Sequence, residues 1–87
     1  MPRVFIPPLL KKITGPVDQV DIDGTTVRQI IENLELKFPG VKDRLCDGDS
    51  LKPGLAVAID SHITNKGLFA KVPADSEVHF VTAIGGG

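Results

Sequence analysis

Cysteine is almost absent from this 87-residue sequence. The single residue, Cys46, cannot close an intramolecular disulfide, which points to a reducing, cytoplasmic setting. Only His62 and His79 stand beside it as soft ligands, and no metal-ligand spacing emerges. Basic blocks are lacking too. Ten Lys and Arg are scattered among eleven Asp and Glu, for a net charge of −1, so nothing marks a nucleic-acid surface. No apolar run approaches the roughly 20 residues that a membrane-spanning helix needs. Met1-Pro2-Arg3 passes directly into a strand-like run, so no signal peptide is expected. Neither a glycine-rich phosphate loop nor a paired nucleophile and base is found. The chain is therefore expected to bind no cofactor, to hold no ATP by itself and not to be an enzyme.

What is present suits one small globular domain. The hydrophobic fraction is 41% and the charged fraction 24%, ordinary for a folded protein. A chain this short forms one domain, and it buries a modest share of its surface, so its core must be efficient.

Val4-Phe5-Ile6 predicts a first strand, which Pro7-Pro8 interrupts for want of amide donors. Leu9-Leu10 reads as an edge or bulged continuation. After the turn signal Thr14-Gly15-Pro16, residues 17–22 read as a second strand, hairpin-paired with the first. The helix is the strongest local signal. Thr26 and Gln29 fit a capping box. Val27, Ile30, Ile31, Leu34 and Phe38 then recur on one helical face, with Leu36 off the stripe. Pro39-Gly40 ends the helix. Residues 41–45 suggest one short turn, and 46–50 and 52–54 read as loops. Leu55-Ala56-Val57-Ala58-Ile59 predicts a strand, Asn65-Lys66-Gly67 a turn, and 77–82 a last strand. There Val78 and Phe80 share one face, His79 and Val81 the other. One main helix packed on a mixed sheet of four to five strands is the simplest α+β arrangement that buries both apolar faces. It gives a domain over residues 1–82 and a flexible glycine-rich tail over 83–87.

That tail, Ala83-Ile84-Gly85-Gly86-Gly87, is the chemically pointed segment. Glycine loses more backbone freedom on ordering than any other residue. Fixing three of them on a partner costs roughly 3–6 kcal/mol. Such a terminus makes sense if it enters a channel too narrow for side chains and delivers the Gly87 carboxylate. A carboxylate is a poor electrophile until an ATP-using partner converts it to an acyl-adenylate. A sulfur donor can then displace AMP and leave a thiocarboxylate. The alternative is that the glycines are an expression remnant or a frayed end.

Three stretches bear on that choice. The first is Ile6-Pro7-Pro8-Leu9-Leu10 with Thr14-Gly15. The second is Gly24-Thr25-Thr26-Val27 with Ile30-Ile31, Leu34-Glu35, Phe38-Pro39-Gly40 and Arg44-Leu45. The third runs from Asp75-Ser76-Glu77-Val78 through Phe80 to the terminal glycines. In this order they resemble the ubiquitin-like sulfur-carrier family, over nearly the whole chain. That family includes the small subunit of molybdopterin synthase, the carrier of thiazole synthesis and the carrier used by a thiocarboxylate-dependent cysteine synthase, the most similar of the three. The resemblance implies a β-grasp fold, and it implies that Gly86-Gly87 is the diglycine and Gly87 the adenylated and thiolated residue. It also implies an adenylating partner of the ubiquitin-activating type, a sulfur donor protein and a sulfur-accepting synthase. Gly85 stands where relatives often have alanine or serine, and Thr82 where many have proline, departures that bear on the pathway served. Two other functions share such a tail: a protein modifier that forms isopeptide bonds, and a non-catalytic subunit of molybdopterin synthase.

Among the remaining residues, Phe5 lies on the opposite strand face from Val4 and Ile6. Either it is exposed as a partner anchor or it is core and its neighbours are rotated out. Val81, opposite in facing to Phe80, is a second anchor candidate beside the tail residues Ile84, Gly85 and Gly86. Cys46 reads as a small loop-edge residue without a role, in preference to a sulfur relay. Both histidines read as solvated.

Overall fold

The structure, a computed structural model, describes residues 1–82; residues 83–87, on which the expected tail falls, lie outside the described residues. The chain opens with β1 (Arg3–Phe5). Leu9 and Leu10 do not extend it. They sit in a 3-10 turn (Pro8–Leu10) that leads into α1 (Lys11–Thr14). The cause is Pro8 at the first helical position, where its fixed φ suits a helical start and its missing N–H costs nothing. Leu10 is fully buried there. β2 (Gln19–Asp21) returns antiparallel beside β1 with Val4 opposite Val20, so the hairpin stands with a shorter second strand than residues 17–22.

The main helix, α2 (Val27–Lys37), buries Val27, Ile30, Ile31 and Leu34, the stripe read from their spacing, while Leu36 is 81% exposed. Its N-cap differs from the box in one detail. Thr26 Oγ1 accepts from Gln29 N (3.2 Å), but Gln29 Oε1 takes the Thr25 amide (2.8 Å) and hydroxyl (2.9 Å), one residue before the cap. The segment before the helix is also tied down, with Val27 N donating to Ala70 O (3.0 Å) and Val72 N to Thr25 O (2.8 Å). Gly24 passes so close over the first turn that a Cβ would stand 3.0 Å from both Ile30 N and Ile30 Cδ1.

A short α3 (Val41–Leu45) follows Pro39-Gly40. Gly40 has φ +108°, a region that favours glycine. The Glu35 carboxylate reaches past the end of its own helix to accept from Gly40 N (3.1 and 3.0 Å) and Lys42 N (2.9 Å). It thereby supplies the cap that Gly40 has no side chain to provide. The amide of Lys42, then that of Gly40, holds the Glu35 carboxyl below its ordinary range.

Residues 46–51 are not the plain loop expected. They form a small hairpin of β3 (Cys46–Asp47) and β4 (Ser50–Leu51), turning at Gly48 with φ +67°. β5 (Leu55–Ile59) pairs antiparallel with β6 (His62–Thr64) across Asp60 and Ser61, whose φ values are 49° and 72°. Two successive positive φ values match a primed hairpin turn, a geometry usually filled by Asn-Gly or Asp-Gly. Asp60 is held in place by Glu77: its N donates to Glu77 O (2.9 Å), and its Oδ1 accepts from Glu77 N (2.9 Å). The expected turn at Asn65-Lys66-Gly67 leads into a 3-10 turn (Gly67–Phe69). β7 (Glu77–Thr82) closes the described chain.

The main sheet has the order β2-β1-β7-β5-β6, with β1 and β7 parallel and the other neighbours antiparallel. Val4, Ile6, Val57, Val78 and Phe80 cover one sheet face and pack with Ile30, Ile31, Leu34, Val41 and Leu45. This is the ubiquitin-like β-grasp architecture.

Replacing Gly24 by Ala should lower stability by roughly 1–3 kcal/mol, because the added methyl meets helix backbone that cannot move aside. A urea titration would read this as a lower midpoint at unchanged slope. Glu35→Gln should act through pH. A carboxyl depressed in the folded state stabilises above its unfolded pKa, and that contribution is lost as pH falls through the folded pKa. The variant should therefore be less stable than wild type at neutral pH and converge on it in acid, as denaturant midpoints across that window would reveal.

Candidate functional site

Strand alternation decides which residues can meet a partner. In β7, Val78 and Phe80 point inward and are 0% and 4% exposed, whereas His79 and Val81 point outward and are half-buried. In β1, Val4 is fully buried and Ile6 nearly so, which puts Phe5 on the outer face. Of the two orientations open for Phe5, the outward one is realised.

Parallel register sets Phe5 beside His79, and their rings stack 4.2 Å apart with planes only 7° from parallel. The same row crosses the sheet through Ala58, opposite His79, to Ile63, opposite Ala58. Ile63 is 69% exposed on the outermost strand. One step toward the end of β7, Val81 faces Ala56. Phe5 and Val81 thus lie on one outer face. His79, Ala56, Ala58 and Ile63 join them there, and sequence reasoning had not selected these four. The signal for Ile63 was weak because its strand was not recognised. His79 is on the surface as expected, with its side chain 39% exposed, and the Phe5 ring covers one of its faces.

Charges frame the opposite end of the face. Arg3 Nε lies 3.6 Å from Asp21 Oδ1, and His79 Nε2 lies 3.8 Å from Glu77 Oε1. At the Thr82 end an open groove of about 480 Å³ is lined by Pro7, Pro8, Leu9, Phe80, Val81 and Thr82. Residues 83–87 continue from that end. The expected site residues Ile84, Gly85, Gly86 and Gly87 lie outside the described residues.

Cys46 is corrected from loop edge to core. It is 9% exposed and belongs to the hydrophobic cluster. Burial pushes its thiol pKa up, against a smaller opposing pull from Lys42 and Arg28. The cavity beside it holds about 30 Å³, room for a water and not for a substrate. His62 sits at the β5–β6 turn with Nδ1 3.0 Å from Asp60 O. Among the described residues, no cluster of His, Cys, Asp and Glu could hold a metal ion, and no helix is long and apolar enough to cross a membrane.

A mixed sheet grasping one helix, with a half-buried apolar outer face leading to a glycine-rich end, defines a protein of the ubiquitin-like sulfur-carrier class. The chain belongs to the ThiS family, whose model matches residues 4–87. Solved structures agree. A chain in the crystal structure of the Amycolatopsis orientalis BexX/CysO complex is 29% identical with a TM-score of 0.90, over 100% of both chains. CysO of Mycobacterium tuberculosis is 25% identical with a TM-score of 0.85, over 95% of this chain and 99% of that one. The small archaeal modifier protein 1 of Methanosarcina acetivorans shares the fold at 19% identity and a TM-score of 0.78, over 99% of this chain and 95% of that one. No curated protein sequence matches the chain.

Burial and the raised pKa of Cys46 predict an inert thiol. Near pH 8, iodoacetamide should label native protein at least about tenfold more slowly than protein unfolded in urea. Equal rates, read by mass spectrometry, would contradict the placement of Cys46 in the core.

Proposed function

We propose that this chain is a sulfur carrier whose working group is the carboxylate of Gly87. The observation that carries the reading is the match to the ThiS family, which extends through Gly87. The likeness to CysO supports the same class. The chain acts as a co-substrate: it offers a terminus and a recognition surface, and other proteins supply the catalysis.

In this reading an adenylating enzyme of the ubiquitin-activating type binds the outer sheet face, with Phe5 and Val81 as anchors, and draws residues 83–87 into its active site. ATP is that enzyme's substrate. The Gly87 carboxylate attacks the α-phosphorus of ATP, releasing pyrophosphate and forming an acyl-adenylate. Hydrosulfide from a sulfur donor protein then attacks the acyl carbon, AMP departs, and a thiocarboxylate remains. Its sulfur is nucleophilic and tethered, so the carrier can pass it to a biosynthetic enzyme in the cysteine, molybdopterin or thiazole pathways. Gly85 and Gly86 allow close approach because they lack side chains. The cytoplasm, where thiols and ATP coexist, is the setting.

Coexpression with the adenylating enzyme and a sulfur donor should raise the intact mass by one oxygen-to-sulfur exchange at the terminus. Deleting Gly87 should abolish the shift while leaving the thermal midpoint unchanged, since a terminal glycine has no side chain to pack. Persistence of the shift without Gly87 would end the proposal. Covalent high-mass adducts on denaturing gels, without the mass shift, would favour a protein modifier instead.

A further inference from the structure

The central ladder of the sheet ends unevenly. Pairing of β1 with β7 stops at Phe5 opposite His79. β7 continues to Thr82, paired there only with β5, where Val57 faces Phe80 and Leu55 faces Thr82. Two contacts at the start of the strand set the direction of its backbone groups. Arg3 N donates to Ser76 O (2.8 Å), and Asp60 N donates to Glu77 O (2.9 Å). Successive residues of a strand turn their N–H and C=O to opposite edges. Even-numbered residues of β7 therefore face β1 and odd-numbered ones face β5.

It follows that the C=O of Phe80 and the N–H of Thr82 point into the space beyond Phe5. The residue in register to donate to Phe80 is Pro7, which has no N–H. Its own C=O is turned away to accept from Leu10 N (3.0 Å). Among the described residues, no backbone or side-chain group bonds Phe80 O or Thr82 N. Phe80 and Thr82, which carry these two groups, line the groove together with Pro7, Pro8, Leu9 and Val81. A small apolar ligand would fill the walls and strand the backbone groups without partners. An extended peptide would do both jobs, bonding the edge through its main chain and seating an apolar side chain against Pro8 and Leu9.

We propose that this groove receives an extended segment of the adenylating enzyme, which adds as a short strand along residues 80–82. The inference rests on the carrier reading above. The length of the remaining chain argues for this occupant. Residues 83–87 follow Thr82 in the chain and, fully extended, can reach no more than about 18 Å. An enzyme that holds Gly87 in its active site must lie against this end of the sheet. Strand addition there aligns the last turns of β7 with the channel, so the tail enters in one orientation.

The test is hydrogen exchange of the wild-type chain, alone and in complex with the adenylating enzyme that charges it. The Thr82 amide should exchange at least roughly tenfold more slowly in the complex. A second measurement uses Thr82→Pro, which deletes the donor. Because that N–H faces away from β5, the β5 ladder and the unfolding midpoint should be kept. Affinity for the enzyme, read by calorimetry, should fall roughly five- to tenfold, the worth of one hydrogen bond. An unchanged Thr82 exchange rate in the complex overturns strand addition whatever the affinity, and it leaves the carrier reading standing if Gly87 is still charged. If no adenylating enzyme loads Gly87, the carrier reading and the strand addition fall together.

Discussion

The parallel pairing of β1 with β7 is the contact on which the fold depends. It joins the two ends of the sequence at the centre of the sheet, with Val4 and Val78 opposite each other and both fully buried. Closing so long a loop has an entropy cost, though one that grows only slowly with length. Burial of the apolar face under α2 offsets it. The hairpin partners β2 and β6 then add to the outer sides of this pair and of β5. Without the central contact, β1 with β2 would be an isolated two-stranded ribbon, marginal by itself in water.

The same pairing creates the outer face. Strand alternation sends Val4, Val78 and Phe80 to the helix and leaves Phe5, His79 and Val81 outside. Phe5 and His79 come from opposite ends of the chain and stack only because the register is parallel. Ala56 and Ala58 keep the neighbouring strand low, so the face is shallow and Ile63 stands up at its margin. Two prolines end the ladder early on one side of β7, and the groove at that end is their consequence.

Elements governed by short-range rules were readable. Thr26, the spacing of the apolar stripe and Pro39-Gly40 bounded α2, and the β5 and β7 segments were recognisable as strands, with Val78 and Phe80 on one face of β7 and His79 and Val81 on the other. Misses occurred where a distant partner overrode a local signal. Leu9-Leu10 looked extended, but Pro8 and the burial of Leu10 favour a helical turn. β6 was hidden because Asp60-Ser61 lacks the usual glycine, and Glu77 holds Asp60 from across the sheet. Cys46 looked like a loop residue until β4 paired with its strand and the core closed over it. Glu35 lies off the apolar stripe and carries no local signal of a role, yet its carboxylate caps the next helix.

By itself the sequence determined the class of protein: an α+β domain built on one amphipathic helix, with motifs that resemble the ubiquitin-like sulfur carriers. Those features are local or compositional, set by side-chain size, periodicity and backbone freedom within a few residues. Tertiary structure decided which apolar residues became surface. Phe5 could not be assigned inward or outward from alternation alone, because a one-residue slip exchanges the two faces of a strand. Only pairing with β7 fixes that register, and with it the Phe5–His79 stack and the open edge at Phe80 and Thr82.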